Sequence, residues 1–309
     1  MVFKYNPDTD IPDLSGKVFL VTGGTAGVGK EAIIQLAKHS PKHIYFTGRN
    51  QKAADALVSE IKPFSSDLTF IPMDQTSLSS VSAGAKSFLE KSDNELDVLI
   101  CNAGVMAVPP GTSKDGYEIQ FAVNHLAHAL LIKLCLPALE KAKREKGDAR
   151  IVSVTSLAFK SPPKHGIEFK DLKTDMHASL GWTTKWMCYG QSKLANILFA
   201  SQLAVHHPGI TTIAIHPGVI FNTSLGNHLS MLDKVIIRGA TLNLTRITLK
   251  EGGYNTLWAA TIKGDERVMK TGGVYEPVGK PVIPTKLSAD EGLQKELWEW
   301  TEKELAAYN

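Results

Sequence analysis

Tyr189 and Lys193 stand four positions apart, the spacing that puts two side chains on one face of a helix and within reach of the same small volume. A phenol and an ammonium so placed can pass a proton. A free phenol has a pKa of ~10 and must fall about three units to exchange protons readily near pH 7, a requirement of ~4 kcal/mol. One ammonium about 4 Å away at an effective dielectric of ~20 supplies ~4 kcal/mol. Lys193 is therefore expected to lower the pKa of Tyr189 by itself. The pair alone is a weak signal, because a Tyr-x-x-x-Lys arises by chance in about one of every two chains of this length and composition. Its upstream company makes the case.

The run Thr22-Gly23-Gly24-Thr25-Ala26-Gly27-Val28-Gly29 has the glycines that a dinucleotide-binding turn needs. They allow a tight bend out of a strand, close backbone approach to a pyrophosphate and close packing of helix on strand, with the phosphates at the helix N-terminus. The spacing Gly23-x-x-x-Gly27-x-Gly29 is neither the G-x-G-x-x-G of dehydrogenases with a separate substrate domain nor the G-x-x-x-x-G-K-[ST] of nucleoside triphosphatases. Gly23, Thr25, Gly27, Val28 and Gly29 are the expected cofactor contacts in it. Farther on, Gly48-Arg49 follows a predicted strand. An acid there would bond the ribose 2′-OH of NAD, whereas an arginine suits the 2′-phosphate of NADP. Arg49 thus points to NADP(H). Asp74, beyond the third predicted strand, can accept from an adenine amino group or simply cap a turn or helix.

These residues require a scaffold that gathers several strand ends. Short apolar and β-branched runs at 18–21, 44–47, 68–73, 98–101, 151–155, 211–215 and 274–275 alternate with helical stretches, the pattern of an α/β fold with a doubly wound parallel sheet and helices on both faces. The stretch after Gly29 keeps Ile33, Ile34, Leu36 and Ala37 for one helix face, so the glycine turn joins a strand to a helix. With no internal repeat and no linker, residues 1–309 read as one domain. Segments 160–187 and 221–246 interrupt the alternation. Both leave the carboxyl ends of predicted strands, where open α/β sheets bind ligands, and both carry apolar residues such as Trp182, Trp186, Phe221, Leu229 and Met231. They are expected to fold over the substrate as an apolar lid. In the tail, Leu293, Leu297, Trp298 and Leu305 share most of one helix side, predicted to pack on the sheet.

Composition removes other classes. Thirty-four basic against thirty-one acidic residues leave a net charge of +3, too little for a nucleic-acid binder. Cys101, Cys135 and Cys188 are odd in number and lack metal-ligand spacing, which suits buried thiols in a reducing compartment. His125 and His128 share a helix face with no third ligand nearby, so no metal is expected. His206-His207 before Pro208 reads as a loop. The N-terminus carries acids and a proline instead of an export signal, and the longest apolar run, 126–139, is too short to span a bilayer. A cytoplasmic location is expected.

In order and over nearly the whole chain, residues 22–29, Asn102-Ala103-Gly104, Asn124, Ser156, Tyr189-x-x-x-Lys193 and Pro217-Gly218 resemble the short-chain dehydrogenase/reductase superfamily of Rossmann-type enzymes. The runs Phe121-Ala122-Val123-Asn124-His125-Leu126 and Ser192-Lys193-Leu194-Ala195-Asn196 look closest to its branch of retinol dehydrogenases and WW-domain oxidoreductases. The resemblance implies that Tyr189 is the general acid or base, that Ser156 bonds the substrate oxygen and that Lys193 also holds the nicotinamide ribose. It implies that Asn124 positions a water leading protons to bulk. Asn102, Ala103 and Gly104 would line the cofactor, and the backbone of Pro217, Gly218 and Val219 would meet its carboxamide. Thr223 is the matching cofactor threonine, although the run from Pro217 is one residue longer than usual. Ser153 competes with Ser156, but its position suits a buried strand. The expected activity is NADP(H)-dependent reduction of a ketone or aldehyde on an apolar small molecule. The alternatives are oxidation of a steroid-like or retinoid-like alcohol, or nucleotide sensing without turnover. The resemblance implies that a homodimer could form through the helices carrying Asn124 and Tyr189, a pairing that long insertions can block.

Overall fold

Four- and five-residue runs, mostly apolar and buried along their whole length, as at Val18–Val21, Val98–Cys101 and Arg150–Val154, belong in a sheet covered on both faces. The computed structural model describes residues 4–64, 66–220, 226, 229–242, 244–262 and 269–308. Its strands are β1 Val18–Val21, β2 His43–Gly48, β3 Leu68–Pro72, β4 Val98–Cys101, β5 Arg150–Val154, β6 Thr211–Ile215, β7 Val274–Glu276 and β8 Lys280–Pro281. They form one sheet in the order β3-β2-β1-β4-β5-β6-β7-β8. Strands β1 to β7 are parallel. The parallel expectation fails only at the edge, where the two-residue β8 returns antiparallel to β7.

Side chains alternate along each strand, so each strand feeds two cores. Phe19 and Val21 of β1 join Ile100, Val152 and Ile213 against the helices Gly27–Ala37, Gln51–Ile61 and Tyr254–Thr261. Val18 and Leu20 join Leu99 and Ile151 against Leu78–Lys91, Ala127–Lys146 and Thr184–His206. Each fully buried Leu, Ile, Val or Phe contributes about 1.5–3 kcal/mol. The chain leaves β1 toward β2 and later returns to place β4 on the other side of β1, which makes the β1/β4 junction a topological switch point.

Two expectations are corrected. The tail helix Glu291–Glu304 packs along the helix Thr184–His206, because Leu194 and Leu198 of that helix already cover the sheet. Trp298 stacks on Phe199 at 5.1 Å and on His206 at 4.3 Å; His206 closes the helix and is not in a loop. The stretch Ile119–Lys146 is long and apolar enough to cross a membrane by length and composition, but 78% of its most apolar window lies buried in the protein. All three cysteines are buried and free.

Candidate active site

The glycine turn leaves the carboxyl end of β1 at the switch point. Thr22 N–H donates to the Ile100 carbonyl of β4 at 2.9 Å, and Gly24 N–H to the Thr47 carbonyl of β2 at 3.0 Å. The helix Gly27–Ala37 follows, with no side chain capping its N-terminus, so its first N–H groups remain available to an anion. Asn102 ties the end of β4 to this turn: its Nδ2 donates to the Thr22 carbonyl at 2.9 Å, while the N–H groups of Asn102 and Ala103 donate to Thr22 Oγ1 at 2.9 and 3.0 Å.

Arg49 lies just past β2, exposed and without a hydrogen-bond or ion-pair partner among the described residues. Its neighbour Gly48 shows how close the glycine turn comes, since a Cβ there would sit 2.8 Å from the Thr25 methyl. Asn50, not Arg49, caps the next helix, accepting from Ala53 N–H at 3.0 Å. Asp74 organises its own turn. One carboxylate oxygen accepts from Thr76 N–H and Oγ1 at 3.0 and 2.8 Å, and the other pairs with Lys114 at 2.9 Å.

Tyr189 and Lys193 are both buried in the helix Thr184–His206. Lys193 Nζ donates to the Val154 carbonyl at the end of β5, at 3.0 Å, and lies 5.7 Å from the Tyr189 ring centroid. Asn196 Nδ2 donates to the same carbonyl at 3.2 Å, and Thr155 Oγ1 donates to the Lys193 carbonyl at 2.7 Å. These bonds clamp the helix to β5. Ser156 follows as the half-buried cap of a short 3₁₀ turn, accepting from Ala158 N–H at 3.3 Å, whereas Ser153 is buried in β5. Asn124 sits in a π-helical turn, Ala122–Leu126. Its Nδ2 donates to the Val105 carbonyl and to Ser192 Oγ, both at 2.9 Å, and its Oδ1 accepts from Val105 N–H at 2.8 Å.

Gly104 is where these parts meet. A Cβ there would come 3.0 Å from Asn124 Oδ1 and 3.5 Å from Lys193 Nζ, so glycine lets the loop after β4 lie against both without crowding the Asn124 amide. Pro217, Gly218 and Val219 are half-buried just past β6, with the Val219 carbonyl accepting from Ile247 N–H at 3.2 Å. Thr223 and Phe221 lie outside the described residues. Val105 and the Val154 carbonyl carry no signal of their own in the sequence, and Ser192 and Asn196 appear there only as members of a run. Their hydrogen bonds depend on elements that meet only in the folded chain.

The electrostatics correct one expectation. Burial raises the Tyr189 phenol to about 12, opposed in part by its hydrogen bond with Ser156. Burial also lowers the Lys193 ammonium to about 8. Desolvation of the buried phenol outweighs the lowering expected from Lys193, whose ammonium lies 5.7 Å from the ring centroid. Segments 160–187 and 221–246 are likewise corrected in part. Leu229 is buried, but Trp182 and Met231 face solvent, so those two side chains do not close over the site. His125 is bonded to Thr301 Oγ1 at 3.1 Å, and among the described residues no cluster of His, Cys, Asp or Glu is arranged to hold a metal ion.

The family model for short chain dehydrogenases matches residues 17–169. A short-chain dehydrogenase/reductase of Aspergillus calidoustus, drtF, is 36% identical over 96% of this chain and 95% of its own length. Human retinol dehydrogenase 12 is 36% identical over 82% of this chain and 76% of its own length. Among solved structures, an NADPH-bound carbonyl reductase from chicken fatty liver superposes with a TM-score of 0.64 at 24% identity, covering 88% of this chain and 100% of that one, a likeness of fold. With this fold and these relatives, the chain belongs to the short-chain dehydrogenase/reductase superfamily of oxidoreductases, near its retinol dehydrogenase branch.

Proposed function

We propose that the protein is an NADP(H)-dependent reductase of a ketone or aldehyde on an apolar small molecule. The observation that carries this reading is Gly104, whose backbone lies against Asn124 and Lys193 on one side of a loop bonded to the glycine turn on the other. Residues suited to a dinucleotide thus adjoin residues suited to proton transfer. The uncapped N-terminus of Gly27–Ala37 fits a pyrophosphate, and the exposed guanidinium of Arg49 fits a 2′-phosphate.

A nicotinamide bound along this floor supplies the hydride. The chain's part is the proton and the geometry. The Tyr189 hydroxyl, held protonated across neutral pH by its burial, donates its proton to the carbonyl oxygen as the carbon is reduced, giving the alcohol and a phenolate. The Ser156 hydroxyl donates a hydrogen bond to the same oxygen. Lys193, clamped to β5 through Val154, stabilises the phenolate as it forms, and a proton from solvent restores the phenol. In the reductive direction Tyr189 starts as the acid, and that direction is preferred because NADPH is the usual cellular reductant. A second reading, oxidation of a retinoid-like alcohol, draws on the similarity to retinol dehydrogenase 12.

A screen of NADPH consumption against ketones, quinones and aldehydes tests the reading. Tyr189→Phe should lower turnover of any accepted carbonyl by roughly 10²–10⁴-fold while NADPH affinity stays within a few-fold. Retention of most of the activity would show that another group is the acid.

A further inference from the structure

The helix Met231–Ala240 presents an apolar stripe to solvent: Met231 is 79% exposed, Leu232 68%, Val235 63% and Ile236 42%. These positions, spaced i, i+1, i+4 and i+5, lie along one face. Exposed Lys234 and Arg238 flank them. The one acid of the helix, Asp233, is turned inward, where it caps with Ser230 and pairs with Lys185 at 2.5 Å. That ion pair ties the helix to the segment just after the turn Gly181–Thr183, whose Trp182 is 83% exposed. The inward face is therefore anchored by charge, and the outward face is apolar with a cationic border.

Soluble monomers rarely leave contiguous apolar surface uncovered without using it. We propose that this face docks on a bilayer containing anionic phospholipid, with the helix lying in the headgroup plane, its four apolar side chains entering the acyl boundary and Lys234 and Arg238 pairing with lipid phosphates or carboxylates. Trp182 has the amphipathic ring that favours this depth. Charge argues against a second copy of this chain as the occupant. A two-fold interface brings the same patch of each protomer together, and would set Lys234 and Arg238 close to the same cations of the partner with no exposed acid of the helix to answer them.

The test is co-sedimentation of the full chain with vesicles of phosphatidylcholine alone or mixed with phosphatidylserine, at low and high salt. The wild type should partition to the mixed vesicles about tenfold better than to phosphatidylcholine, with the preference weakened by salt. The exposed pair Leu232→Glu and Val235→Glu, its folding checked by circular dichroism, should lose binding by more than about tenfold. Lys234→Ala with Arg238→Ala should abolish the preference for phosphatidylserine. The proposal is overturned if wild type stays in the supernatant, if it binds both vesicles alike, or if either double variant binds as wild type does. It is also overturned if sedimentation shows a self-associated dimer that the Leu232→Glu and Val235→Glu pair dissolves.

Discussion

Nε2 of His128 lies 2.8 Å from Oγ1 of Thr22, joining residues 106 positions apart. The remaining partners settle the ring's protonation. Nδ1 faces the Asn124 carbonyl at 3.0 Å and must carry the hydrogen, so Nε2 is the acceptor, its one lone pair shared between Thr22 Oγ1 and, at 2.9 Å, Gln75 Nε2. Thr22 Oγ1 in turn accepts from the backbone of Asn102 and Ala103. One neutral imidazole thus links the π turn of Asn124 to the glycine turn at the end of β1.

Burial lowers the His128 ring to about 4 from an ordinary 6.5. The folded protein therefore binds fewer protons there than the unfolded chain between these values, and the stability this represents, ~3 kcal/mol, is fully present above about pH 6.5 and lost as pH falls toward 4. His128→Leu should cost roughly 2–4 kcal/mol at pH 7 by stranding Thr22, Gln75 and the Asn124 carbonyl, and should flatten the acid limb of the stability profile. Denaturant unfolding between pH 7 and 4.5 measures both; an unchanged acid limb would remove His128 from that role.

Glu118 works in the opposite sense. Burial raises its carboxyl to about 7, although it accepts from Gln120 N–H at 3.0 Å and Phe121 N–H at 2.6 Å. Its stabilising effect is fully present below about pH 4.5 and is lost as pH rises through 7. Glu118→Gln, which keeps an acceptor for the helix start but cannot ionise, should raise stability above pH 7 relative to wild type by up to ~3 kcal/mol. Melting temperatures across pH 5 to 8 check this, and parallel curves for the two proteins would refute it.

Arg49 has no partner among the described residues and follows Gly48, which lies against Thr25. A charge-assisted bond to a 2′-phosphate is worth about 1.5–3 kcal/mol, so NADPH should bind roughly 10–100-fold more tightly than NADH, and Arg49→Asp should erase or invert that ratio. Fluorescence titration with both cofactors decides it. Equal dissociation constants in the wild type would remove Arg49 from the selection.

Trp186 and Tyr189 are three residues apart on one helix and share a face, whereas Trp182 points to solvent. Trp186→Ala should change relative kcat/KM among carbonyl substrates by about tenfold or more while moving NADPH affinity only a few-fold, and Trp182→Ala should leave the ranking intact. A profile that responds to Trp182 and not to Trp186 would reverse the assignment.

The parallel strands β1 to β7, to within a residue or two, the glycine turn and the helix after it were legible in the residues alone, because apolar runs, their periods and glycine placement are local instructions. It also marked Tyr189, Lys193, Asn124, Ser156 and residues 102–104 as one set by their types and order. What surrounds them follows from how distant elements pack together. Ser192, Asn196, Val105 and His128 enter through bonds between elements distant in the chain, and Gly104 matters because Asn124 and Lys193 come to rest beside it. The same holds for Tyr189. Its distance from one ammonium follows from a helical spacing, but its burial depends on every element packed around it, and that burial places its pKa above the ordinary value. The tail helix was legible as a helix, yet whether it met the sheet or another helix depended on which face Thr184–His206 had already covered.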